Sequence, residues 1–154
     1  MAQIKCVCIS TKRKTSAQNI HQCQAALGGL SGDVHQGMGD RQVSMLPMDA
    51  VEAYFTKKGD PIQYGRFGEN LVVEGLDWDS LQKDDLLRIG HVLLKVVRLG
   101  AGGPKSDAYK GEKVCAPMEK QFIFCKILRE GLLQEGMDIV KEGHALQHCV
   151  HTCD

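Results

Sequence analysis

Three stretches of this chain hold residues whose types and spacing suit chemistry. The first is "LGAGGPKSDAYKGEKVCAP", Leu99 to Pro117. Its glycines, followed by Lys105 and Ser106, resemble a phosphate cradle. A nucleotide-binding P-loop needs Gly-x-x-x-x-Gly-Lys-Ser/Thr and a following helix. Here Leu99 and Pro104 stand where the two glycines belong, and proline offers a phosphate no N–H. Two readings stay open: a looser anion nest of the Gly100, Gly102 and Gly103 amides, or a plain glycine-rich connection between strands. Cys115 lies downstream with Lys113 nearby, a cation that favours the thiolate.

The second stretch is "GDVHQGMGDRQVS". It packs Asp33, His35, Asp40 and Arg41 among glycines. Glycine permits tight backbone turns, and a guanidinium can clamp a phosphate with two parallel bonds. The third, "YGRFGENLVVEGLDW", sets Gly65 and Gly68 about Phe67 and adds Glu69 and Asn70. Asn70 supplies both a donor and an acceptor. The C-terminal "HALQHCVHTCD" adds His148, Cys149, His151 and Cys153, a donor set suited to Zn²⁺ or Cu(I), although no standard zinc module has this spacing.

These groups must be held by elements the pattern reveals. "IKCVCIS" alternates as a strand, with Ile4, Cys6 and Cys8 on one face as small core residues. A strand is expected from Arg41 to Leu46. "PMDAVEAYFTKKG" is the best helix: Pro47 in its first turn, Asp49 at the positive end of the dipole, Val51, Tyr54 and Phe55 as its apolar stripe, and Gly59 to end it. "ENLVVEGLDW", "DLLRIG", "HVLLKVVRLG", "QFIFCKILREG" and "DIVKEG" read as strands, with Cys125 in the core beside Ile123 and Ile127. "LQKDDLL" and "LQEGMDI" each place a polar turn before a strand. Many short strands with one strong helix indicate a mainly β fold, a barrel or tightly curled sheet. One domain is expected over 1–143, with a His/Cys-rich tail over 144–154.

The chain has 154 residues, 43% hydrophobic and 25% charged, with zero formal net charge. That suits one folded domain and gives no global basis for binding nucleic acid or an anionic membrane. No targeting signal or bilayer-length apolar run appears, so a cytoplasmic protein is expected. There, seven cysteines are reduced thiols, ligands or reactive groups rather than a disulfide framework.

Taken together, "GDVHQG…RQVSML", "YGRFGENLVVEGLDW" and "LQKDDLLRIGHVLLKVVRLG" resemble a small stand-alone bacterial protein of the MOSC family, named for the C-terminal domain of molybdenum cofactor sulfurase. The resemblance runs from about Ile4 to Glu142. It implies a mainly β barrel with flanking helices. It also implies binding of the molybdenum cofactor, a phosphorylated pterin dithiolene, and carriage of sulfur on a cysteine. Motif matching makes Asp33, His35, Arg41, Gly68, Glu69 and Asn70 the cofactor-binding positions. The implied partners are the cofactor or a related phosphorylated pterin, cofactor-biosynthesis proteins and molybdoenzymes. Some relatives are reductases of N-hydroxylated compounds, and that is the alternative activity. A non-catalytic metal-handling protein using the tail is a third reading.

The resemblance breaks in the opening stretch. The family carries Cys-His and a second Cys about where Gly103, Pro104 and Asp107 stand here. Only Cys115 then remains as a sulfur carrier, which counts against the reductase. Lys105 and Ser106 would bind an oxyanion where the family does its sulfur chemistry.

Overall fold

The computed structural model describes residues 2–12, 17–34, 36–37, 39, 41–100, 118 and 120–144. In chain order the strands are β1 (Gln3–Ile9), β2 (Gln18–Asn19), β3 (Gln22–Ala26), β4 (Gly29–Leu30) and β5 (Val43–Pro47). Helix α1 (Met48–Lys58) is followed by β6 (Leu71–Glu74), a 3₁₀ turn (Trp78–Ser80), β7 (Asp85–Ile89) and β8 (Val92–Leu99). The last strands are β9 (Ile123–Arg129), β10 (Gly131–Gln134) and β11 (Val140–His144). They form a curled eight-stranded sheet, ordered β11-β7-β8-β9-β5-β6-β1-β2, and a three-stranded sheet, β10-β3-β4. The mainly β expectation therefore holds.

Among the described residues, every strand pairing but one is antiparallel. The exception, β5 beside β6, is parallel, with Met45 opposite Leu71. Parallel neighbours require a crossover, and α1 supplies it. Its ends obey local chemistry: Pro47 is the N-cap, Asp49 lies in the first turn, and Gly59 closes the helix in the left-handed region at φ 75°, its N–H on Phe55 O and Thr56 O. The "QYGRFGEN" stretch is the return half of this crossover.

Alternation along the strands divides the interior. Met45, Leu71, Val73, Ile123, Cys125 and Ile127 face the main core, which the small sheet closes with Cys23, Ala25, Leu30 and Leu133. The opposite faces of β5 and β9 present Leu46 and Phe124 to α1, where they meet Val51, Tyr54, Phe55, Phe67 and Phe122. Burying each phenylalanine contributes about 1.5–3 kcal/mol, so this aromatic cluster anchors both the helix and the return loop. Tyr54 meets Phe67 edge-on at 4.8 Å.

Strand β1 departs from simple alternation. Ile4 joins the main core with Val7, while Cys6 and Cys8 share a separate cluster with Ala17 and Val72. The cause is an irregularity in the β1–β6 ladder between Ile4 and Cys6, which turns the following residues over by one. The two echoed turns are alike: Asp85 N–H bonds Gln82 O and Met137 N–H bonds Gln134 O, with Asp84 and Gly136 at positive φ.

Among the described residues, no helix is long and apolar enough to cross a membrane.

Candidate functional site

Asp33, Asn70 and Ser44 meet at one buried point. Asn70 immediately precedes β6, and its side chain is 1% exposed. Its Nδ2 donates to Cys8 O (3.0 Å) and Asp33 Oδ1 (3.2 Å). Its Oδ1 accepts from Ser44 N (2.9 Å) and faces the Ser44 hydroxyl at 3.1 Å. Both amide hydrogens and both acceptor directions are therefore engaged. Asp33 Oδ1 also accepts from Ser10 N at 2.9 Å. One side chain thus ties β1, β5, β6 and the loop after β4 together. We call this arrangement the bracket.

The bracket fixes one end of the segment that carries the second sequence motif. Gln42 fixes the other: its Nε2 donates to Gly39 O (2.9 Å), and its Oε1 accepts from Ile127 N (3.0 Å). Arg41, next to Gln42, is half-buried, and its guanidinium carbon lies 5.2 Å from the Phe124 ring centroid. A weakly hydrated, planar cation resting on an aromatic face is pre-organised for an oxyanion. His35 lies outside the described residues.

Glu69 turns inward to its own loop. Its carboxylate accepts from Gly65 N (2.8 Å) and Phe67 N (3.0 Å) and is fully buried. Burial raises its pKa from 4.5 to about 7, although the backbone N–H groups of Gly65, Glu69 and Phe67 oppose the rise. Gly68, at φ 84°, donates its N–H to Gly65 O (3.0 Å), and its carbonyl faces the Ser44 hydroxyl at 3.3 Å. Gly68, Glu69 and Asn70 are thus engaged with the fold itself. Of the described candidates, Arg41 alone carries a positive charge suited to an anion.

The raised pKa of Glu69 has a measurable consequence. The folded carboxyl holds its proton more tightly than the unfolded one. Its contribution to stability is full below about pH 4.5 and is lost as pH rises to about 7. Urea unfolding of the protein and of Glu69→Gln should give stabilities whose difference changes by about 3 kcal/mol across that window and is flat above it. A difference constant from pH 4.5 to 7 would contradict this.

The described cysteines Cys6, Cys8, Cys23 and Cys125 are buried and free. Burial raises the Cys125 pKa to about 12 and raises that of Cys23. Neither is a thiolate at neutral pH, so neither suits sulfur transfer. Lys105, Ser106 and Cys115, and the tail residues His148, Cys149, His151 and Cys153, lie outside the described residues. Among the described residues, no three His, Cys, Asp or Glu side chains are grouped to hold a metal.

A cleft of about 460 Å³ opens beside α1, lined by Ala50, Ala53, Tyr54, Lys57, Lys58, Met118 and Gln121. None of the described candidate site residues (Asp33, Arg41, Gly68, Glu69 and Asn70) lines it. Those residues instead gather at the bracket and at Arg41.

Sequence reading missed the three polar anchors Ser10, Gln42 and Ser44. Gln42 and Ser44 stand inside the quoted "RQVS", flanking Val43. Two polar residues at alternate positions opening an apolar strand were the available signal.

Comparison with known proteins agrees with this architecture. Residues 31–100 match the model of the MOSC domain. The match spans Asp33, Arg41 and the Gly68–Asn70 stretch. It stops at residue 100. No curated protein sequence matches the chain. Among solved structures, the chain is similar to the YuaD protein from Bacillus subtilis (TM-score 0.73, 18% identity, covering 90% of this chain and 94% of that one). It is also similar to YiiM from Geobacillus stearothermophilus (TM-score 0.70, 20% identity, 92% and 75% covered). YiiM from Escherichia coli gives a TM-score of 0.64 at 16% identity, with 95% and 72% covered. At these identities the likeness is one of fold.

Proposed function

We propose that this chain, a protein of MOSC type, binds the molybdenum cofactor or a related phosphorylated pterin and handles it, or sulfur for it, during molybdoenzyme maturation. The observation that carries the reading is the position of Arg41: a guanidinium on the Phe124 ring, at the end of a segment pinned by Asp33 and Gln42.

The described residues fit one part of such a ligand. Arg41 suits its phosphate, because a fork of N–H donors pairs with two phosphate oxygens. When bound, the cofactor supplies the dithiolene and metal on which sulfur is handled. This chain's own part is to bind and orient. The bracket holds the Arg41 segment against β1 and β5, and Phe124 limits the guanidinium to one face. Lys105 and Ser106 are assigned to the same anion, and Cys115 to sulfur carriage. His35 completes the set on the motif match.

The wider assignments rest on the same family likeness. They are cofactor-biosynthesis proteins or molybdoenzymes as partners; a cytoplasmic location is proposed from the sequence pattern instead. The domain is placed at 1–143, with the tail beyond it. Zinc at that tail is a separate proposal, resting on donor types alone.

The test is compositional. Protein purified from its native host should contain molybdenum and a pterin that becomes fluorescent on oxidation, in comparable amounts. Finding neither would overturn the proposal.

A further inference from the structure

We propose that Cys6 and Cys8 form a reversible disulfide, giving β1 a peroxide-responsive dithiol coupled to the Asn70 bracket. The inference does not depend on the ligand proposed above. It begins with the irregularity in β1, which places both side chains on one face, away from the main core. Their sulfurs lie 3.4 Å apart. A disulfide needs about 2.05 Å, so the two atoms must close by only about 1.4 Å. Alternate residues of a strand have Cα atoms about 6.6 Å apart, at the long end of the range that disulfides span, about 4.4–6.8 Å. By the same strand repeat their β-carbons stand farther apart than the about 3.5–4.5 Å a disulfide spans, so closing the bond bends β1 locally and leaves the bond strained and readily reduced.

The surroundings set the access. Ala17, Val72, Met48 and Tyr64 enclose the pair, and Tyr64 is only half-buried. A β-carbon added at Gly65 would meet Cys8 Sγ at 3.3 Å, so the return loop packs directly on this sulfur. Peroxide is small enough to enter when this cover loosens. The thiol partner, burial and the negative field of Glu69 all raise the Cys8 pKa. Cys8 therefore stays a thiol at neutral pH, and the disulfide forms under sustained rather than trace peroxide.

The chemistry balances as follows. One sulfur attacks hydrogen peroxide, the O–O bond breaks, and the sulfur becomes a sulfenic acid as the first water leaves. The second sulfur displaces the sulfenic oxygen, which leaves as the second water. Two S–H bonds are lost, one S–S bond forms, and two electrons pass from the thiols to the peroxide.

Coupling runs through the backbone of Cys8. Its N–H donates to Asn70 O (2.6 Å), and its carbonyl accepts from Asn70 Nδ2 (3.0 Å). Drawing Cys8 toward Cys6 strains both bonds, and Asn70 holds Asp33 and Ser44 in turn.

The test uses the full chain, fully reduced, then exposed to graded hydrogen peroxide, alkylated in denaturant and digested with trypsin. Cleavage after Lys5 and Lys12 isolates residues 6–12, which contain these two cysteines and no other. The expected product is this peptide unalkylated and two hydrogens lighter, returning to the doubly alkylated form after dithiothreitol. Cys6→Ser and Cys8→Ser should each abolish it. Should either variant misfold, the wild-type peptide mass decides alone. A peptide that stays doubly alkylated while other cysteine peptides oxidise would overturn the proposal, as would irreversible oxygen addition to either sulfur. Amide exchange at Ser44 and Asn70 should quicken several-fold in the oxidised form. Unchanged exchange there would overturn the coupling.

Discussion

Asn70→Ala should lower the stability of this protein by about 4 kcal/mol, because three buried groups lose their partner at once. Ser44 N, Cys8 O and Asp33 Oδ1 each bond the Asn70 side chain, and water cannot replace it without opening β6 from β5 and β1. An unsatisfied buried polar group costs about 1–3 kcal/mol, and the three are not strictly additive because they share one site. Asn70→Asp is the sharper test. It keeps the acceptor for Ser44 N but turns a carboxylate oxygen toward the Asp33 carboxylate and the Cys8 carbonyl. Its loss should match or exceed that of alanine near neutral pH and shrink in acid, where the new carboxyl protonates. Urea unfolding at pH 7 and pH 5 reads both effects. A cost under about 1 kcal/mol for Asn70→Ala would show that the bracket does not hold the strands.

Gly65→Ala should be the most damaging single substitution in the return loop. Gly65 sits at φ 90°, and an added β-carbon would overlap the carbonyl of Ala17, which is backbone and cannot swing aside. That approach is fixed by the bond from Ala17 N to Gly65 O (2.7 Å). Gly59→Ala is the matched control. Gly59 has a similar φ of 75° with open space about it, so alanine there meets backbone strain alone, about 1 kcal/mol. Gly65→Ala carries the same strain plus the overlap, and should cost at least about 3 kcal/mol or prevent folding. Equal midpoints for the two variants in urea would contradict the packing described here.

Much of this was legible in the residues, for reasons that differ by element. Strands β5 to β9 and helix α1 showed because each has a long apolar period, and Pro47 and Gly59 mark the helix ends. Strand β3, "QCQAA", was hidden: its inward residues, Cys23 and Ala25, are small and give little hydrophobic signal. β10 was hidden because Leu132 is exposed and Leu133 is its one buried residue. The irregularity in β1 could not be read either, since it arises from pairing with β6, and it moved Cys6 and Cys8 away from Ile4.

The candidate site divides in the same way. Asp33 and Asn70 drew notice by residue type, and the fold brings them to 3.2 Å across 37 residues of chain. Motif matching made Gly68, Glu69 and Asn70 cofactor-binding positions. Their hydrogen bonds are with the fold itself, which sequence spacing cannot foretell. Arg41 differs from them. It borders the bracket, lies on an aromatic ring and carries the charge an anion needs.

The central claim is that Arg41, held by this framework, grips the phosphate of a pterin ligand. The most direct measurement is the affinity of the purified protein for the molybdenum cofactor, compared with Arg41→Ala and Arg41→Lys. Loss of a charge-assisted, two-pronged bond should weaken binding about tenfold to a hundredfold in Arg41→Ala. Arg41→Lys, which keeps the charge and loses the fork, should fall between. Equal affinity in all three proteins would contradict the account.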